Sequence, residues 1–229
     1  MPEPRRTTEI QSDLLIVGEG TGDASLIRYL AENRGIHGFQ IEDAGGNSKF
    51  QNFIAGLAAL KGIARLKALI IVADSDAGAD ASFRDIRTQM KAARIPYPQT
   101  PYTFAVQPNT GSYATYVLMI PFSVGPPITS NTGALETLLL PSAEEHLSGH
   151  VPCLDSWCAC LRMDGWSKTR RDKARLRSLL AAAHLEDPNI SLRLAVIPNK
   201  DLIPFGHQCF DALADLLRSL PQQVLDLGL

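Results

Sequence analysis

The sequence has no run of about 18 apolar residues, the length that a bilayer crossing needs. Its first residues, MPEPRRTTEIQSD, lack the apolar centre of a secretory signal, so a cytoplasmic protein is expected. Cysteine is scarce. Of the four, Cys153, Cys158 and Cys160 cluster and Cys209 stands apart. The spacings C-x4-C and C-x-C match no common zinc pattern, and free thiols in a reducing compartment are the expectation. His146 and His150 sit at a spacing that can hold a metal on a helix, but Gly149 and Pro152 interrupt that helix and no complete ligand set follows. Charge of one sign is not in excess. A net charge of −2 excludes a strongly basic nucleic-acid coat, though not an enzyme whose acidic site is balanced by a local basic patch. There is no G-x-x-x-x-G-K-[ST] phosphate loop, and Ser12, Ser25 and Ser75 lack the G-x-S-x-G elbow of a serine hydrolase.

What is present is a chain of 229 residues with 45% hydrophobic content, enough for a sizeable core. Residues 1–12 read as a flexible leader. LLIVG, Leu14 to Gly18, and ALIIVAD, Ala68 to Asp74, are uninterrupted apolar runs, as expected of strands buried on both faces. Between them lie a helical pattern through Leu26, Ile27 and Leu30, a short strand FQIEDA, and a second helix through Phe50, Phe53, Ile54 and Leu57. Asn47 or Ser48 is placed to cap that second helix. A third helix carries Phe83, Ile86 and Met90.

This order predicts an α/β fold: a mostly parallel, Rossmann-like sheet flanked by helices, over residues 13–140. The Pro-, Thr- and Tyr-rich region from Pro96 to Pro127 holds one strand-like run, TYVLMIPF, expected as an extra strand pair or an edge strand. Thr132 is a candidate cap for the helix begun by GALETLLL. Residues 141–229 read as a mainly helical extension packed on the core, with Trp157 and Trp166 packing the tail down. SLRLAVIP is a candidate strand, and the last helix, from about His207 to Leu220, is expected to stop at Pro221.

In a parallel sheet all strands point one way, so Glu19, just after the first strand, and Asp74, ending the later one, emerge at the same edge. Ligands bind at that carboxyl edge in open α/β sheets. Asp76, two residues on, points to the same side as Asp74 if the chain stays extended. Asp23 falls in the first helical turn, four residues after Glu19. Crowded carboxylates repel one another, and a hard divalent cation is the simplest means of keeping them ionised. Oxygen-only ligands favour Mg²⁺, with Mn²⁺ able to substitute. Such a site supports phosphoryl transfer.

The segments GEGTGD, with Glu19, and ADSDAGAD, with Asp74 and Asp76, resemble the Toprim fold of topoisomerases, primases and OLD-family nucleases. Gly20 and Asp23 are similar to the OLD-type and small stand-alone versions. DAGGNSK and GALETLLL resemble a stand-alone Toprim family whose function is not established. The resemblance implies a Toprim-like core over 13–140 and a metal-dependent nuclease acting on DNA or RNA. Metal-activated water would attack phosphorus in line. By the resemblance, Glu19 is acid/base or first metal ligand, Asp74 and Asp76 hold Mg²⁺, and Asp23 and Glu136 complete a second metal position. Thr21 and Gly22 stand where many relatives carry charge. Small proteins of this kind act beside a separately encoded ATPase in phage defence, so the implied partners are nucleic acid and such an ATPase. No membrane is expected, and a homo-oligomer stays open.

The resemblance also implies a lysine near the metals, for which Lys173, Lys200 and Lys49 are candidates. KTRRDKARLR, Lys168 to Arg177, holds six basic residues and one acid. Arg170, Lys173 and Arg177 share one helical face, either as a phosphate-binding stripe joined by Lys49 or as a solvated surface. Two other readings remain: a non-catalytic nucleotide or nucleic-acid binding or sensor subunit, and a receiver with Asp74 as phosphoryl acceptor. The receiver reading leaves Glu19 without a role.

Overall fold

The computed structural model describes residues 9–76, 78–106, 113–122, 132–184, 186–196 and 202–229. Strands β1 (Leu14–Gly18), β2 (Gln40–Asp43), β3 (Ala68–Asp74), β4 (Phe104–Ala105) and β5 (Ala114–Ile120) form one sheet in the order β2-β1-β3-β5-β4. The first four in that order run parallel, and β4 is antiparallel to β5 at the edge. Helices α1 (Thr21–Asn33), α2 (Asn47–Gly56) and α3 (Ala79–Ala92) connect the early strands. Helices α4 (Leu135–His146), α5 (Val151–Cys160), α6 (Lys168–Ala183), α7 (Leu192–Ala195) and α8 (Asp211–Asp226) follow the sheet. The expected α/β architecture is present, a mostly parallel sheet flanked by helices.

The continuous apolar runs follow from a sheet covered on both faces. Leu14, Ile16, Ile70, Val72, Leu118 and Ile120 face one core, shared with α1, α4, α6 and α8. Their neighbours Leu15, Val17, Leu69, Ile71, Val117 and Met119 face the other, shared with α2 and α3. The C-terminal helices therefore bury their stripe in the same core as α1. Arg34, following α1, pins them by donating to the carbonyls of Phe205 and His207 and pairing with Asp211.

Several local expectations are corrected. Of the two expectations for TYVLMI, the extra strand pair is present and the edge strand is not: β5 pairs with the short antiparallel β4, lies between β3 and β4, and all seven of its residues are buried. The α2 cap position is Gly46, with φ +104°, rather than Asn47 or Ser48. The α4 cap is Ala134 rather than Thr132, with the Thr137 hydroxyl accepting from its N–H. SLRLAV is helical at α7, because Leu192, Ala195 and Val196 place their apolar bulk at i, i+3 and i+4. Helix α8 begins at Asp211 and runs through Pro221 to Asp226. An interior proline costs about 3 kcal/mol. Continuing past it buries Val224 on the stripe of Leu213, Leu217 and Leu220, and each such side chain contributes roughly 2 kcal/mol.

Trp166 packs against the core, but Trp157 is exposed and does not hold the tail down. Of the expected leader, residues 1–8 lie outside the described residues. Ile10 is buried, and its N–H donates to Lys61 O at 2.7 Å. The four cysteines are free thiols. No described helix is long and apolar enough to cross a membrane.

Candidate functional site at the carboxyl edge of the sheet

Register brings the expected residues to one edge. Gly18 is level with Val72 and Asp74 with Ile120. Glu19 leaves β1 with its N–H on Val72 O at 2.9 Å, and its carbonyl accepts from Gly46 N. Gly18 is required by close approach: a Cβ there would meet Ala24 N at 2.6 Å and Asp23 Cβ at 2.9 Å, so only glycine lets α1 start directly over the strand end. Asp23, in the first turn of α1, folds back and accepts from Gly20 N–H at 2.9 Å. It is 8% exposed. Burial, then the charges of Glu19 and Glu136, push its carboxyl up to about 7, against the opposing Gly20 bond.

Asp74 Oδ1 accepts from the Leu135 N–H at the start of α4. Burial, then Asp23 and Glu136, push this carboxyl up to about 8, while Lys173 pulls the other way. Glu19 is also raised, by burial and then by Asp76, with Lys173 opposing. Glu136, second in α4, is buried, with Arg177 Nη2 at 3.8 Å from its Oε1. All five carboxylates predicted from sequence thus lie in one electrostatic cluster.

Asp76 reaches it by a different route from the one expected. Strand β3 ends at Asp74, and Asp76 has φ +44°, a left-handed conformation that Asp tolerates better than most residues. Its carbonyl accepts from Gly133 N at 2.9 Å and from the Thr169 hydroxyl at 2.7 Å. Its carboxylate lies 3.5 Å from Lys173 Nζ.

The basic face of α6 is therefore not a separate stripe. Lys173 and Arg177 turn toward the acids, while Arg170 stacks on Trp166 with its guanidinium carbon 4.0 Å from the ring centre. Lys49 is in the first turn of α2, its side chain outside the described residues, and Lys200 lies outside them altogether.

On the other face of the sheet edge, Glu19, Asp74 and Asp76 open into a recess of about 90 Å³, walled by α3 through Ser82, Asp85 and Gln89 and floored by Phe50 and Ile86. Sequence reasoning missed Asp85, Gln89 and Thr169. The spacing of Ser82, Asp85 and Gln89 places them on one side of α3, but a polar helix face ordinarily meets solvent. Nothing in the sequence marks Thr169.

The donor set is all oxygen, and the recess has room for several waters, which Mg²⁺ characteristically keeps. The carboxylates influence one another pairwise. No three Asp, Glu, His or Cys side chains among the described residues stand close enough to enclose an ion between them.

Comparison with curated proteins and with solved structures finds no match. Over residues 12–222 the sequence matches, and the chain belongs to, the family described as "Protein of unknown function (DUF3226)".

Proposed function

We propose that this protein is a metal-dependent phosphodiester enzyme of Toprim type, a nuclease acting on DNA or RNA, with Mg²⁺ as cofactor and Mn²⁺ able to replace it. The observation that carries the reading is the mutual repulsion at the sheet edge. Burial with the charges of Glu19 and Glu136 pushes Asp23 up to about 7, and burial with the charges of Asp23 and Glu136 pushes Asp74 up to about 8, where Lys173 opposes the shift. A cluster that cannot keep its protons off unaided gains most from a divalent cation.

Glu19, Asp74 and Asp76, which do not enclose an ion as they stand, would have to draw together to hold the cation, with Asp23 and Glu136 behind them. When bound, it would supply Lewis acidity and a more acidic water. The chain's own contribution is to fix the acids on rigid strand ends, through the Leu135 N–H on Asp74 and the Thr169 and Gly133 bonds on the Asp76 carbonyl. Lys173 and Arg177 are the groups available to a phosphate. A separately encoded ATPase acting with it in phage defence belongs to the same proposal.

The second reading is a non-catalytic nucleotide or nucleic-acid binding subunit. It is favoured by the pairwise rather than three-fold approach of the acids and by Lys173 standing against Asp76. Supercoiled plasmid incubated with the protein and Mg²⁺ or Mn²⁺ separates the two. Nicking by the wild type that disappears in Asp74→Ala and Asp76→Ala supports the enzyme. Nicking that persists in both variants removes these residues from the active site, and a wild type that nicks under neither metal favours the binding subunit.

A further inference from the structure

Two polar side chains of α3 stand on the wall of the recess. Asp85 and Gln89, one turn apart on α3, line the same recess as Glu19, Asp74 and Asp76. Neither makes a hydrogen bond or ion pair among the described residues. Three other polar side chains of this helix are bonded within the protein. Arg87 donates to Gln99 at both the carbonyl and the side-chain oxygen, the Thr88 hydroxyl donates to Arg84 O, and the Ser82 hydroxyl donates to Ser75 O. Asp85, exposed, and Gln89, half-buried, stand at the recess above the apolar floor of Phe50 and Ile86.

The two faces of the sheet edge also differ in charge. Helix α6 packs in the core on one face and brings Lys173 and Arg177 to the carboxylates. Helix α3 packs in the core on the other face and brings a fourth carboxylate and a neutral amide to the recess. A phosphate is attracted to the α6 side and repelled from the α3 side. What suits the α3 side is a neutral, partly apolar group that carries N–H donors.

We propose that the α3 wall is a nucleobase subsite, in which Asp85 and Gln89 read the edge of the base adjoining the phosphate held on the α6 side. This inference rests on the phosphodiester reading above. A carboxylate accepts two N–H donors at once, and an amide can donate to a neighbouring carbonyl. The base edge that presents two adjacent N–H donors beside a carbonyl is that of guanine. Bases unstacked from a strand are read along that edge. Phe50 and Ile86 supply the apolar surface beneath the ring.

The test is titration of the full chain with 5′-GMP, 5′-AMP, 5′-CMP and 5′-UMP in the presence of Mn²⁺, with Mn²⁺ affinity measured separately by electron paramagnetic resonance. The expected ranking puts GMP first. Asp85→Asn and Gln89→Ala should each weaken GMP about tenfold, the scale of one good base contact, and leave UMP nearly unchanged. Gln89→Ala should keep Mn²⁺ affinity within about twofold, since an amide outside the acid cluster does not hold the ion. A wild type that binds UMP as well as GMP, or variants that bind GMP as tightly as the wild type, would overturn the subsite. Failure of the underlying reading looks different: Mn²⁺ would not bind the wild type, or would bind Asp74→Asn equally well, and the subsite would fall with it.

Discussion

The backbone N–H of Leu135 donates to Asp74 Oδ1 at 2.9 Å, joining residues 61 apart in sequence. It ties the end of β3 to the start of α4, where helix amides lack internal partners and carry partial positive charge. That bond favours the ionised carboxylate, yet Asp74 is pushed up to about 8, because burial and the charges of Asp23 and Glu136 outweigh it. The sheet edge carries more negative charge than its own surroundings neutralise. This imbalance governs the response to pH, to cations and to substitution.

Stability should fall as pH rises. Asp23 and Asp74 have folded values of about 7 and about 8 against an ordinary 3.8. Between these limits the unfolded chain has lost protons that the folded chain keeps, so the slope of stability against pH is negative there. The contribution is fully present below about pH 4 and is lost as pH passes through 7 to 8. In EDTA, Tm should be several degrees lower at pH 8.5 than at pH 6, and Mn²⁺ should restore it at pH 8.5. The control is Asp74→Asn, whose Tm should depend less on pH. An identical pH profile in the variant would show that Asp74 is not the responsible group.

Asp74→Asn should separate stability from binding. Asparagine keeps an oxygen for the Leu135 N–H and removes the charge that repels Asp23 and Glu136. The metal-free variant should melt a few degrees above the wild type at pH 8 while losing Mn²⁺ affinity and nicking, as expected where a site is kept strained for function. Calorimetry with and without Mn²⁺ measures both effects. A variant that melts lower and still binds Mn²⁺ would contradict the assignment.

The readable part of this molecule is what topology determines. Once LLIVG and ALIIVAD are taken as buried parallel strands, Glu19 and Asp74 must share an edge, and capping geometry adds Asp23. Asp76 also arrives there, but through a left-handed turn held by Gly133 and Thr169 that no local pattern announces. The orientation of α6 was hidden because a basic helix face has the same sequence signature whether it meets solvent or an acidic site. Asp85 and Gln89 were hidden for the same reason on α3. The interior position of β5 depends on β4, a strand of two residues too short to leave a periodic signal. The course of α8 past Pro221 depends on burial of Val224 in a core formed by distant segments.

Two glycines should answer a Cβ oppositely. Gly18→Ala drives a methyl to 2.6 Å from the Ala24 backbone nitrogen, where no flexible side chain can move away. A cost of about 1–3 kcal/mol is expected, with weakened Mn²⁺ binding as Asp23 is displaced. Gly56 ends α2 with nothing within 4 Å of the same position, so Gly56→Ala should gain up to about 1 kcal/mol and leave binding unchanged. Urea unfolding of both variants checks the pair.

Lys173→Gln should alter function far more than stability. Lys173 Nζ lies 3.5 Å from Asp76 Oδ1 with both side chains substantially exposed, so the pair contributes only about 0–1 kcal/mol, and Tm should hardly move. The same lysine opposes the upward shift of both Glu19 and Asp74. Without it these carboxyls hold their protons to higher pH. The acid limb of the nicking rate, and of Mn²⁺ binding, should therefore move toward alkaline pH. Nicking at neutral pH should drop about 10–100-fold, the scale of losing a positive group that faces developing phosphate charge. Lys173→Arg, which keeps the charge, should retain the wild-type limb. If Lys173→Gln and Lys173→Arg give the same pH profile, the lysine acts through packing, and the cationic side of the site must be sought at Arg177, which faces the buried Glu136 across 3.8 Å.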